Sequence, residues 1–78
     1  MLAPALEHLV TGIVDHPDDV HVVAQNSPRG EVLEVRVNPE DLGRVIGRAG
    51  RTAKALRTLV AALADGKRVR VDVVDTDF

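Results

Sequence analysis

The sequence predicts an α+β fold in the order α-β-β-α-α-β, with helices packed on one face of a three-stranded sheet. Three observations predict it. Apolar residues recur at helical spacing in some stretches and alternate in others. Clusters of Gly, Pro, Asn and Asp punctuate the boundaries between those stretches. Each stretch also has one apolar side, and helices laid on one face of a sheet bury all of those sides together.

Residues 2–15 read as a helix, because Leu2, Leu6, Leu9, Val10, Ile13 and Val14 fall on one stripe. Pro4 suits the first turn, and Pro17 disfavours helical geometry at His16, which sets the end. Gly12 weakens this helix without breaking its stripe. Val20 to Gln25 is short and β-branched, with Val20, Val22 and Ala24 on one face. Asn26-Ser27-Pro28-Arg29-Gly30 is a turn by composition. Glu31 to Val37 alternates cleanly, with Leu33, Val35 and Val37 inward, so the two strands form an antiparallel hairpin.

Asn38-Pro39-Glu40-Asp41 is a helix start. Asn38 can cap, Pro39 fits the first helical position, and two acids favour the positive end of the dipole. This helix carries Leu42, Val45 and Ile46, and the glycines at 47 and 50 end it. The next helix begins at Arg51 or Thr52. Its apolar face is Ala53, Leu56, Leu59, Val60 and Leu63, with Arg51, Lys54 and Arg57 around the other side. Asp65-Gly66 stops it, and Lys67 to Val74 supplies a strand in which Val69, Val71 and Val73 alternate with Arg68, Arg70 and Asp72.

Seventy-eight residues make one small domain, 1–78, with a core marginal enough that a partner or self-dimer would help it. The absence of cysteine excludes disulfides, thiolate zinc sites and thiol catalysis. The N-terminus lacks the pattern of a signal peptide, and no apolar run approaches the roughly 20 residues of a membrane span. A cytoplasmic location is the expectation. The net charge is −2, yet its distribution is uneven. Residues 1–41 hold two arginines against eight acids, whereas residues 42–64 hold four arginines and Lys54 with no acid. Local field decides polyanion binding more than net charge does.

The positive segment surrounds Val45-Ile46-Gly47-Arg48-Ala49-Gly50-Arg51. Two glycines three apart make a tight turn, and a backbone without Cβ atoms can be approached by a chain of phosphates. The N–H groups opening the following helix carry partial positive charge and face outward from its end. Arg44, Arg48, Arg51 and Lys54 would add full charges beside them. The competing reading is a plain helix–helix connector beside a solvated basic face.

Val45-Ile46-Gly47-Arg48-Ala49-Gly50, followed by Ala53, Leu56 and Leu59-Val60, resembles the V-I-G-x-x-G signature of KH domains. The element order is similar to the type II, prokaryotic arrangement, and the whole chain looks like a complete member of the KhpA family of small bacterial single-domain KH proteins. Ala53 departs from the isoleucine found at that position in many KH domains, which should thin the packing under the loop. The resemblance implies single-stranded RNA binding by an RNA chaperone or post-transcriptional regulator. Gly47, Arg48, Ala49 and Gly50 would clamp about four nucleotides of backbone. Val45 and Ile46 would shape the adjoining groove, with Val35 to Val37 completing it. The family association also implies a homodimer and a partner KH protein of the Jag type.

With no aromatic except Phe78, the stacking contribution of about 1–3 kcal/mol per base is missing, so binding should be weak, salt-sensitive and poorly selective. Two other functions compete. One is helix-turn-helix DNA binding, although the second helix offers no Asn or Gln to read base edges. The other is a protein-interaction module whose dimer matters more than any nucleic acid. No enzyme, cofactor or metal function is expected. His8, His16 and His21 lack ligand spacing, Asp72, Asp75 and Asp77 have no companion base, and Ser27 has no nucleophile elbow.

Overall fold

The computed structural model describes residues 2–74. In chain order it contains α1 (Leu2–Thr11), β1 (His21–Ser27), β2 (Gly30–Arg36), α2 (Leu42–Ile46), α3 (Arg51–Leu63) and β3 (Val69–Val73). Short 3-10 turns at Pro17–Asp19, Pro39–Asp41 and Arg48–Gly50 lead into β1, α2 and α3. The α-β-β-α-α-β order matches the expectation. Asp75 and Asp77 lie outside the described residues, as does Phe78.

The sheet runs β1-β2-β3, with β2 in the middle. β1 is antiparallel to β2, pairing Val22 with Val35 and Ala24 with Leu33. β3 is parallel to β2, pairing Leu33 with Val71 and Val35 with Val73. A parallel neighbour requires a long crossover, and the α2–α3 pair supplies it.

α1 packs over β1, α3 packs over β3, and α2 packs against α3. The core between these layers is Leu6, Val10, Val20, Leu33, Val35, Val37, Val45, Leu56, Val60 and Val71, all buried. The inward alternation expected for β2 is therefore observed at Leu33, Val35 and Val37.

Four local details differ from the sequence reading. α1 ends at Thr11 rather than near residue 15, because Gly12 and Ile13 turn away while donating to the Leu9 and Val10 carbonyls. Ile13 consequently lies exposed, although Val14 still packs against the core. The hairpin turn is shorter than five residues, since β1 continues to Ser27 and β2 resumes at Gly30. The Ser27 hydroxyl organises it, donating to the Gly30 carbonyl at 2.9 Å and accepting from the Arg29 N–H at 3.3 Å.

Ala24, expected on the inner face, is exposed midway along β1. Leu59 and Leu63 are also exposed, at 42% and 52%. The buried stripe is confined to Ala53, Leu56, Val60 and Ala64, while Leu59 and Leu63 beside it face outward. The sequence pattern was wider than the surface available to cover it.

Candidate nucleic-acid interface

The helix carrying the glycine turn is anchored before it begins. Asn38 Oδ1 accepts the Glu40 N–H at 2.9 Å, and Asn38 Nδ2 donates to Asp19 at 2.9 Å. Asp41, expected only to complement the helix dipole, is 1% exposed. Its two carboxylate oxygens accept the Asp15 and His16 N–H groups at 3.0 and 2.9 Å. A buried carboxylate is tolerable because each oxygen is satisfied. Sequence reasoning missed this clamp, since its partners are backbone groups about 25 residues away that no motif records.

Two outer ion pairs join the same two segments: His16 with Glu40 when the imidazole is protonated, and Arg44 with Asp15, each at 3.1 Å. Arg44 is therefore partly engaged by an acid instead of standing wholly open to a ligand.

At the turn, the chain enters left-handed space. Gly47 has φ 79°, Ala49 φ 57° and Gly50 φ 74°. The Gly47 N–H donates to the Gly43 carbonyl at 2.8 Å, closing α2. The Gly50 N–H then donates to the Gly47 carbonyl at 3.1 Å. The glycines serve different needs. A Cβ on Gly47 would fall 2.7 Å from the Thr52 nitrogen and from Thr52 Cβ, so packing forbids it. A Cβ on Gly50 would meet nothing within 4 Å, so that side of the turn is open to an incoming backbone.

The remaining candidates separate by exposure. Arg48, Ala49, Arg51 and Lys54 are exposed around the turn and the first turn of α3. Ile46 is 39% exposed and adds an apolar spot beside them. Val45 is fully buried, so its side chain anchors α2 in the core and lines no groove. In the stretch Val35 to Val37, expected to complete the groove, the Val35 and Val37 side chains are buried in the core and Arg36 is exposed. The strand beside α3 is instead the sheet edge β3, where Arg57 Nε donates to the Val71 carbonyl at 3.2 Å.

No acid occurs in α3, so the cations near its start are undiluted by carboxylates on the same helix. Among the described residues, Arg48, Arg51 and Lys54 make no ion pair.

Two helices joined by a left-handed glycine turn, laid on a sheet whose β2 and β3 run parallel, define a KH domain. More narrowly, the chain belongs to the KhpA/KhpB KH-domain family, whose model matches residues 4–74. It is 88% identical to the RNA-binding protein KhpA of Leifsonia xyli over 75 residues, covering 96% of this chain and 99% of that protein. It is 68% identical to the RNA-binding protein KhpA of Streptomyces coelicolor over 99% of this chain and 96% of the relative. The protein of the same description from Mycobacterium tuberculosis is 62% identical over 99% of this chain and 95% of its own. No solved structure matches.

Proposed function

We propose that this protein binds single-stranded RNA, holding the sugar-phosphate backbone against Gly47-Arg48-Ala49-Gly50 with help from Arg51 and Lys54. One observation carries the reading: Gly50 presents an open, Cβ-free backbone at the head of an acid-free helix, flanked by cations that make no ion pair among the described residues. Such a site attracts phosphate without requiring a particular base. The names of the relatives, RNA-binding proteins, support the choice of polyanion. On this reading the whole chain acts as one binding module, an RNA chaperone or post-transcriptional regulator in the cytoplasm, and not as a catalyst. No helix among the described residues is long and apolar enough to cross a membrane.

The test is binding to single-stranded RNA, single-stranded DNA and duplex DNA at two salt concentrations, using the parent and an Arg48→Asp/Ala49→Asp variant. Both glycines remain, so Thr52 is not disturbed, and aspartate tolerates the left-handed geometry at position 49 better than most residues. Loss of RNA binding in a variant with an unchanged melting curve is the expected result. Equal binding by both proteins sinks the clamp, and a preference for duplex DNA transfers the reading to a helix-turn-helix.

A second reading is favoured by the outer face of α3. Ala55, Leu59 and Ala62 line a shallow apolar hollow of about 490 Å³ next to Arg51 and Lys54, and Leu63 is exposed nearby. Apolar surface left uncovered in a small domain favours association. We assign this face to self-pairing, or to pairing with a KH protein of the Jag type, alongside RNA binding.

A further inference from the structure

Four of the cations that the glycine turn does not use gather at the opposite end of α3. There the hairpin turn meets the segment entering β3 and encloses a cleft of about 380 Å³. Arg29, Lys67, Arg68 and Arg70 line it, and Glu31 is the only acid among the lining residues. All four cations are exposed. Among the described residues, neither ion pair involves any of them.

Backbone contacts join the two walls of the cleft. The Glu31 N–H donates to the Arg68 carbonyl at 2.9 Å. Gly30, at φ 129°, lets Arg68 approach so closely that a Cβ would lie 2.5 Å from the Arg68 oxygen. This contact binds the turn carrying Arg29 to the segment carrying the other three cations. Four like charges gathered beside a single lining carboxylate, Glu31, repel one another, and an anion bound among them relieves that repulsion.

We propose that this cleft is a second backbone-binding site, occupied by phosphates of the same RNA strand that the glycine turn holds. The inference rests on the RNA-binding reading given above. α3 has 13 residues, which at about 1.5 Å per residue separates the two basic ends by roughly 20 Å. No acid occurs within α3, and Asp65, exposed just past its end, is the single carboxylate in the segment that leads on to Lys67. A strand fixed at the turn delivers its further phosphates to the cleft at high effective concentration, so modest individual contacts still add affinity. A strand that fills only the turn, about four nucleotides, cannot reach both ends.

The experiment titrates the isotope-labelled protein with an RNA tetranucleotide and with a strand of roughly sixteen nucleotides, following backbone amide shifts. The tetranucleotide should perturb residues 47–54 alone. The longer strand should also perturb Arg29 and residues 67–70. In parallel, an Arg29→Gln/Arg70→Gln variant should lower the salt dependence of longer-strand binding by about 1.4 in log–log slope, two contacts at about 0.7 each. It should leave tetranucleotide binding unchanged. Arg36→Gln, which removes a charge from the far end of β2, should change neither.

Shifts at the turn with none in the cleft, or an unaltered slope in the double variant, overturn the second site and leave the first intact. An absence of shifts at the turn with either strand overturns the RNA-clamp reading, and this inference with it.

Discussion

Gly47 lies against Thr52 so tightly that a single methyl group at position 47 would come within 2.7 Å of the Thr52 backbone nitrogen. Gly50, three residues on, has no such neighbour. The two glycines of one motif therefore answer to different constraints, packing at the first and access at the second.

Alanine at each position should separate those constraints. Gly50→Ala carries only the left-handed penalty, about 1–2 kcal/mol. Gly47→Ala adds an overpacking cost of roughly 1–3 kcal/mol. With about 4–8 °C of melting temperature per kcal/mol in a domain this small, thermal denaturation resolves the difference. Equal destabilisation would refute the packing role of Thr52.

Arg51 and Arg44 should contribute unequally to RNA binding. Arg51 is exposed beside the turn without an ion-pair partner among the described residues, whereas Arg44 is held by Asp15 at 3.1 Å. Arg51→Gln should reduce the salt slope of binding by about 0.7. Arg44→Gln should reduce it by less, because Asp15 already neutralises part of its charge. A larger effect at Arg44 would mean that RNA displaces Asp15 and takes the arginine.

Asp41→Ala should destabilise the fold by about 2–3 kcal/mol, because the N–H groups of Asp15 and His16 lose their acceptor in a part-buried place. Urea denaturation gives the magnitude. Hydrogen exchange at Asp15 and His16 gives the cause, since both amides should exchange faster in the variant than in the parent. Unchanged exchange there would refute the clamp.

Leu59→Ser/Leu63→Ser should scarcely alter the stability of an isolated chain, since both side chains already face solvent. Sedimentation across a concentration series should show the parent associating and the variant remaining monomeric. If both behave alike, α3 does not carry the self-pairing face.

Much of the architecture was legible because the relevant signals are local. Leu33, Val35 and Val37 alternate, and a strand whose one face is buried must alternate. Asn38 caps through its own side chain two residues on, so the cap is visible in a short window. The glycine turn is likewise legible, since left-handed geometry at positions 47 and 50 favours the residue found there.

What was misread depends on how far the neighbouring layers extend. The stripe on α3 includes Leu59 and Leu63 by spacing, but the sheet is too narrow to reach them. Val45 belongs to the motif by sequence, yet it points into the core. Val35 and Val37 alternate toward the same core, and their side chains are buried beneath the helices.

The sequence by itself determined the order of elements, the place of the glycine turn and the positive charge concentrated around it. These follow from periodicity, backbone freedom and counting, all of which act over a few residues. Tertiary structure alone decided that Thr52 locks Gly47, that Asp41 ties α2 to the segment after α1, and that Gly30 seats Arg68 against the hairpin. Each of these is a contact between backbone and a residue distant in sequence or turned toward it by the fold, and residue type does not encode backbone position.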